Sequence, residues 1–305
     1  MKNISGTVLR FEYASMYDGP GLRTVMFLKG CPLRCKWCST PESQLGYPEK
    51  GYMNNRCIRC GKCIENCPKD ALALQQGKVS CDKTRCTHCF KCVSICPQSA
   101  FKLYGKRMTV QEAMNNLLKD EIFFFHSGGG ITISGGEVLT QVDFTEEILG
   151  RCKNHGIHTA IETSLYGPHD QVKRLFPYLD LLIADIKHMD GQKHHAWTGV
   201  DNKDILENII LADESPHQFE ILVRIPLIPG VNDDDGNLLE TIRFCEKMKK
   251  ITAIELLPYH RLGAGTYDQL ERLYEMNHCL RMSADQIKER VDFMRKMSPS
   301  ILIRD

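Results

Sequence analysis

The chain has 305 residues, of which 42% are hydrophobic, 25% charged and 8% aromatic, enough for one sizeable core or two smaller ones and incompatible with disorder or a fibrous repeat. Thirty-nine Lys and Arg against 38 Asp and Glu leave a net charge of +1, which argues against nucleic acid or an anionic membrane as partner. Apolar runs such as Ile122 to Phe125 fall far below the roughly 18 residues of a spanning helix, and Met1 to Met16 shows no continuous apolar region of a secretory signal, so the expected location is cytoplasmic.

In chain order, a first strand over Thr24 to Leu28 runs into Cys31-Pro-Leu-Arg-Cys35-Lys-Trp-Cys38. Next comes an internal repeat: Cys57-Ile-Arg-Cys60-Gly-Lys-Cys63-Ile-Glu-Asn-Cys67-Pro68 recurs 29 residues later as Cys86-Thr-His-Cys89-Phe-Lys-Cys92-Val-Ser-Ile-Cys96-Pro97. Lys69 to Leu74 and Gln98 to Leu103 extend the likeness, and residues 49–105 are read as a small inserted domain. Residues 1–48 and 106–305 then form the host domain. Beyond the insert, strands are expected at Gly130 to Ile133, His158 to Glu162, Asp180 to Asp185, Glu220 to Leu227 and Ala253 to Pro258, alternating with helical periodicity in parallel βα units. Thr109 with Glu112 and Ser283 with Gln286 read as capping boxes, Gly156 as the stop after a helix from Val142, and Ile301 to Ile303 as a last short strand.

Twelve of the 15 cysteines lie within the first 96 residues, nine of them between Cys57 and Cys96. In a long chain without secretory features, such clustering points to metal rather than disulfides. The repeated C-x2-C-x2-C-x3-C-P run is bacterial ferredoxin spacing, in which the fourth cysteine ligates the other cluster. That rule assigns Cys57, Cys60, Cys63 and Cys96 to one [4Fe-4S] cluster and Cys67, Cys86, Cys89 and Cys92 to a second. Paired zinc sites are the alternative, although zinc modules usually set a longer loop between C-x2-C pairs. Cys31, Cys35 and Cys38 supply too few thiolates for four irons. Either one iron stays open to a ligand, or a distant His completes a zinc site.

Several other groups have plain structural readings. Cys152, Cys245 and Cys279 read as small buried hydrophobes, Cys81 as a spare thiol, Phe123 to Phe125 as a core edge and Asp233 to Asp235 as a solvated loop. His194 and His195 lack partners at ligand spacing.

The Cys31–Cys38 run, with Trp37 before the last cysteine, resembles the radical S-adenosylmethionine (SAM) superfamily. Asp18-Gly-Pro-Gly-Leu-Arg-Thr24, Ser134-Gly-Gly-Glu137, Asp185-Ile-Lys187 and Leu256-Leu-Pro-Tyr-His260 follow the order found in glycyl-radical-enzyme activating enzymes, and the two-cluster insert resembles their larger members. The resemblance implies an α/β fold, a partial (β/α)6 barrel carrying a bacterial-ferredoxin-like insert. It implies catalysis at Cys31, Cys35 and Cys38, and SAM contacts from Trp37, Cys38, Ser39, Gly135, Gly136, Glu137, Asp185, Ile186, Lys187 and His260. It further implies a monovalent cation near Glu162, Thr163 and Asp185, a role for Asp18 near an entering glycyl loop, and a place for Arg224 on the fifth strand, lining the site or pairing with a carboxylate. The implied activity is reductive cleavage of SAM to a 5′-deoxyadenosyl radical that takes a hydrogen atom from a backbone glycine of a partner enzyme, under anaerobic conditions, with a flavodoxin- or ferredoxin-type electron donor. A radical enzyme acting on a small molecule and a pure electron carrier are the other classes weighed, the second leaving most of the chain without a task.

Overall fold

The computed structural model describes residues 4–305, so the first three residues of the Met1 to Met16 stretch lie outside it. Two strands open the chain, β1 (Ser5–Ser15) and β2 (Arg23–Leu28). The inserted segment holds β3 (Glu49–Tyr52), α1 (Lys62–Glu65), β4 (Leu72–Gln75), β5 (Lys78–Cys81), α2 (Lys91–Ser94) and β6 (Phe101–Tyr104). After it come β7 (Lys106–Thr109), α3 (Val110–Leu117), α4 (Glu121–Ser127), β8 (Gly130–Gly135), α5 (Val142–Asn154), β9 (His158–Thr163) and α6 (His169–Leu175). The chain continues through β10 (Leu181–Asp185), α7 (Gly191–Thr198), α8 (Lys203–Asp213), β11 (Glu220–Leu227), α9 (Asp235–Cys245), β12 (Ile251–Pro258), α10 (Ala264–Gln269), α11 (Ala284–Met297) and β13 (Leu302–Arg304).

One sheet runs in the order β13-β12-β11-β10-β9-β8-β2-β1-β7. From β2 to β13 every neighbouring pair is parallel, as βα units require. The expected strands are therefore present, joined by β1 and β7, which no sequence signal had marked. These two are antiparallel, to β2 and to β1 respectively, and extend the open edge.

Local signals place the helices. Thr109 and Ser283 each accept from the backbone of the third helical residue while Glu112 and Gln286 reach back, closing both capping boxes. Gly156 adopts φ +69° just past the end of α5, the left-handed turn that stops a helix. The Phe123 to Phe125 expectation needs correction: on α4 only Phe124 is buried, because helical rotation turns Phe123 and Phe125 to solvent at 52% and 62% exposure.

A two-residue period sorts the strands. Ile131 and Ile133, Ile161, Leu182 and Ala184, Val223 and Ile225, and Ile254 and Leu256 pack in the main core. On the opposite face Ala160, Leu181, Ile183, Leu222 and Ala253 form a small apolar floor. The next residue of the same phase is Glu162, Asp185, Arg224 or Glu255. The interior is thus apolar at one end and charged toward the C-terminal ends of the strands, where ligands of open parallel sheets bind.

The insert leaves and rejoins the barrel through β3 and β6, paired antiparallel from Glu49↔Tyr104 to Tyr52↔Phe101. Its core cluster is small, Leu72, Val79, Cys92 and Phe101, with Cys57, Cys63, Cys67, Cys81 and Cys96 packed against it. A core this small needs staples, and bound metal is one kind.

Candidate active site

Six strand ends converge on one cavity of about 240 Å³. Cys31, Cys35 and Cys38 line it after β2, Gly135 and Gly136 at the end of β8, Glu162 and Thr163 on β9, Asp185 and Lys187 at β10, Pro226 and Ile228 at β11, and His260 after β12. Trp37 and Ser39 complete the wall. Two residues of the expected contact set do not line it: Ile186 is buried in the main core, and the buried Glu137 is bonded to the lining residues Thr163 and Ser164.

Backbone bonds hold the cysteine loop from both sides. The amides of Gly30 and Cys31 donate to the carbonyls of Ser43 and Gln44, and those of Arg34 and Lys36 donate to Thr198 and Trp197 at the end of α7. Trp37 packs 6.3 Å from Trp197 between ring centroids, within a satellite core of Ile228, Val231, Tyr259 and Tyr267. Burial pushes all three thiols up, Cys35 to about 12, and the thiols disfavour one another's charge. Such a trio becomes anionic against metal cations, which deprotonate coordinating thiols outright, so the donor set fits a metal cluster.

The Gly135-Gly136 turn is dictated by close approach. Gly135 has φ +111°, and a Cβ there would lie 2.4 Å from the Leu28 amide nitrogen; one on Gly136 would lie 2.2 Å from the Gly30 carbonyl oxygen. Only bare backbone lets the end of β8 cross the end of β2 beside the cysteine loop. Glu137 follows, 1% exposed, accepting from the Thr163 hydroxyl at 2.5 Å, the Ser164 hydroxyl at 2.5 Å, the Ser164 amide at 2.9 Å and the Leu139 amide at 3.1 Å. Burial still raises its pKa against those bonds. Its geometry is that of a clamp on the loop after β9.

Lys187 donates to Asp185 at 2.8 Å across the cavity wall. Burial raises the Asp185 pKa although Lys187 opposes it; the Lys187 ammonium, penalised by the same burial, is held charged by Asp185 and the neighbouring thiols. Deeper in the interior Arg224, 4% exposed, donates to Glu162 at 2.7 Å, to Glu255 at 2.6 Å and to the Tyr17 carbonyl, and lies 3.8 Å from Asp18. Burial would raise the Glu162 pKa, but Arg224 overrides it and the net shift is downward. Arg224 therefore pairs with carboxylates, and Glu162 is further engaged by the Ser134 hydroxyl at 2.5 Å.

Sequence reasoning missed Asn232. Its side-chain amide donates to the carbonyls of Lys187 at 2.8 Å and Pro226 at 2.7 Å and accepts from the Ile228 amide at 2.8 Å, tying the exits of β10 and β11 together. The Pro-Gly-Val-Asn turn was its only local mark. Trp197 and Glu255 were missed as well.

In the insert, Cys57, Cys60, Cys63 and Cys96 line a single small void of about 20 Å³, so the geometry brings together the first ferredoxin set. Backbone amides already point at sulfur: Arg59 at Cys57, Ala71 at Cys67 and Ala100 at Cys96, the last two in matching places of the repeat. Cys92 lies within electrostatic reach of Cys86 and Cys89. Cys81 neighbours Cys86 and Lys50. Among the described residues no group of three or more His, Cys, Asp or Glu side chains is already closed around a single-ion site.

The other groups fall into place. Cys152, Cys245 and Cys279 are buried. Asp234 caps α9, Asp235 pairs with Arg290 and Asp233 accepts from the Gly230 amide. His194 is buried and bonded to the Val200 carbonyl. No helix among the described residues is long and apolar enough to cross a membrane.

Residues 81–242 match the radical SAM superfamily model and residues 49–97 the 4Fe-4S dicluster domain. The (2S)-3-sulfopropanediol dehydratase activating enzyme of Klebsiella oxytoca is 42% identical over 90% of this chain and 88% of that one. The trans-4-hydroxy-L-proline dehydratase activating enzyme of Clostridioides difficile is 41% identical over 92% of this chain and 93% of that one. A solved radical SAM methyltransferase from Sphaerobacter thermophilus, 14% identical, superposes over 98% of this chain and 76% of that one with a TM-score of 0.54 and shares the fold. With its α/β parallel sheet and two-cluster insert, the chain belongs to the glycyl-radical-enzyme activating enzymes of the radical SAM superfamily.

Proposed function

We propose that this activating enzyme works through three [4Fe-4S] clusters, one held by Cys31, Cys35 and Cys38 in the barrel and two in the insert, the first by Cys57, Cys60, Cys63 and Cys96 and the second by Cys67, Cys86, Cys89 and Cys92. The barrel spans residues 1–48 and 106–305 and the insert 49–105. When bound, the three-cysteine cluster would supply one electron to the SAM sulfonium, breaking its bond to C5′ into methionine and the 5′-deoxyadenosyl radical, which takes a hydrogen atom from a backbone glycine of the partner to give 5′-deoxyadenosine and a glycyl radical. The protein's own residues position that cofactor. Lys187 would hold its methionine carboxylate, the Gly135-Gly136 backbone its amino group, and Asp185 and His260 its ribose, while Trp37 and Ser39 line the wall beside the cluster loop. Glu137 keeps the loop after β9 in place, and Asn232 fixes Lys187.

The observation carrying this reading is the convergence of Cys31, Cys35, Cys38, Gly135, Gly136, Asp185, Lys187 and His260 on one cavity at the C-terminal ends of the strands. Arg224 bears on the monovalent cation. Glu162 is engaged by Arg224 and Ser134, Thr163 by Glu137, and Asp185 by Lys187, so we infer that Arg224 carries the positive charge otherwise assigned to such an ion. Asp18 lies beside Arg224, where an entering glycyl loop would meet the interior.

The partner is a glycyl radical enzyme, and electrons come from a flavodoxin- or ferredoxin-type donor through the insert. The test is anaerobic reconstitution with SAM, a strong reductant and the candidate partner. Formation of 5′-deoxyadenosine together with a glycyl radical signal in electron paramagnetic resonance is expected. Cleavage of SAM with hydrogen taken from a small molecule instead would overturn it.

A further inference from the structure

The two insert cysteine sets are near-copies in sequence, yet among the described residues a lysine ammonium bonds a ligand sulfur only in the second. The difference begins on β3, where neighbouring side chains serve opposite sides of the strand. Glu49 faces the barrel, bonded to the buried Lys29 ammonium at 3.2 Å and to Arg272. Lys50 points the other way, its Nζ 3.6 Å from the Cys86 sulfur. The same ammonium lies within Coulombic range of Cys67 and Cys92, so it reaches three of the four ligands of the second set. Around the first set Arg59 and Lys62 border the void lined by Cys57, Cys60, Cys63 and Cys96, but Arg59 Nε donates to the Gly77 carbonyl at 2.9 Å, and among the described residues the ammonium bonded to a ligand sulfur is that of Lys50 at the second set.

The second set is also the one facing the barrel. Cys86 and His88 line a cavity of about 350 Å³ between the insert and the barrel, together with Leu45, Tyr47, Leu270 and Arg272. His88, between ligands Cys86 and Cys89, meets Tyr47 edge-on at 5.6 Å between ring centroids. Tyr47 follows Gln44, whose carbonyl accepts from the amide of catalytic-loop Cys31 at 3.0 Å.

Hydrogen bonds to cluster sulfur and nearby positive charge favour the reduced, more negative state of an iron–sulfur cluster and raise its potential. Building on the three-cluster reading above, we propose that Lys50 raises the reduction potential of the cluster held by Cys67, Cys86, Cys89 and Cys92 above that of its twin. The single electron taken from a flavodoxin- or ferredoxin-type donor then comes to rest on the cluster beside the barrel. Lys50 is a positioning residue for charge and touches no substrate.

The experiment is a potentiometric titration of the anaerobically reconstituted full chain, followed by electron paramagnetic resonance, for the parent protein, Lys50→Met and Lys50→Arg. In Lys50→Met one insert cluster becomes harder to reduce by about tenfold in its one-electron equilibrium, ~59 mV, while the other insert cluster stays put. Lys50→Arg, which keeps the charge, stays near the parent. Unchanged potentials in a fully loaded Lys50→Met, or an equal fall in Lys50→Arg, overturn the proposal. If Lys50→Met does not retain iron, Lys50→Gln is titrated instead with the same two outcomes. The functional reading fails separately, when the parent protein releases no 5′-deoxyadenosine.

Discussion

Arg224 on β11 donates through Nη1 and Nε to two carboxylates, Glu162 on β9, two strands away across β10, and Glu255 on the adjacent β12. Glu162 lines the cavity at the strand ends, and the guanidinium fork serves both carboxylates as a lysine ammonium cannot. Removing the cation strands two enclosed carboxylates. Arg224→Met is expected to lose about 3–5 kcal/mol of stability, as breaking buried pairs does, whereas Lys recovers part of it. Anaerobic denaturant unfolding of the three proteins measures this. Exchange of potassium for tetramethylammonium at constant ionic strength should leave SAM cleavage by the parent protein unchanged; a requirement for potassium would return the positive charge to a bound ion.

Asp185 and Lys187 form one charge-assisted pair on the cavity wall. Hydrogen bonds to charged groups contribute about 1.5–3 kcal/mol, so Asp185→Asn and Lys187→Met should each weaken SAM binding roughly 10- to 150-fold. Because the two residues touch, their double variant should fall short of the summed effects. Equilibrium dialysis with labelled SAM reads all three, and full additivity would mean that the two contact the cofactor independently.

Glu137 makes its four acceptor contacts with neutral donors of the loop after β9 and the turn after Gly136. Gln at this position turns one acceptor into a donor facing other donors, at a cost of about 1–3 kcal/mol. The loop carrying Thr163 should then loosen while cluster loading is retained. Hydrogen exchange restricted to residues 162–166, with unchanged iron content, is the expected signature.

Crossed ligation in the insert has its own signature. Cys96→Ser should remove the cluster of Cys57, Cys60 and Cys63 and spare the other two, taking about a third of the iron; Cys67→Ser should remove the cluster of Cys86, Cys89 and Cys92. The spectra of the two variants would then differ in which insert cluster survives. If Cys67→Ser instead eliminates the cluster next to Cys57, ligation is local to each run.

Much of the site was legible because its chemistry is short-range in sequence. Thiolate spacing needs only a few residues, and each strand end announces itself by an apolar run that stops at a charge, as at Leu181 to Asp185. Glu255 stood in the same phase, two residues after Ala253, and the alternation could have marked it. Trp197 and the bond from Asn232 to Lys187 were not recoverable, since each acts on a loop distant in sequence and neither residue type signals ligand chemistry. β1 was hidden for another reason: beside the sheet's edge strand and with its far half open to solvent, it lacks the apolar run that betrays a buried strand.

Glu49 to Tyr52 and Phe101 to Tyr104 zip together, so entry to and exit from the insert are neighbours in space. A module that enters and leaves through one strand pair can be deleted, exchanged or acquired without disturbing the order of the barrel's own elements. Insert and barrel can therefore change at different speeds in such a chain, each keeping its own run of elements intact.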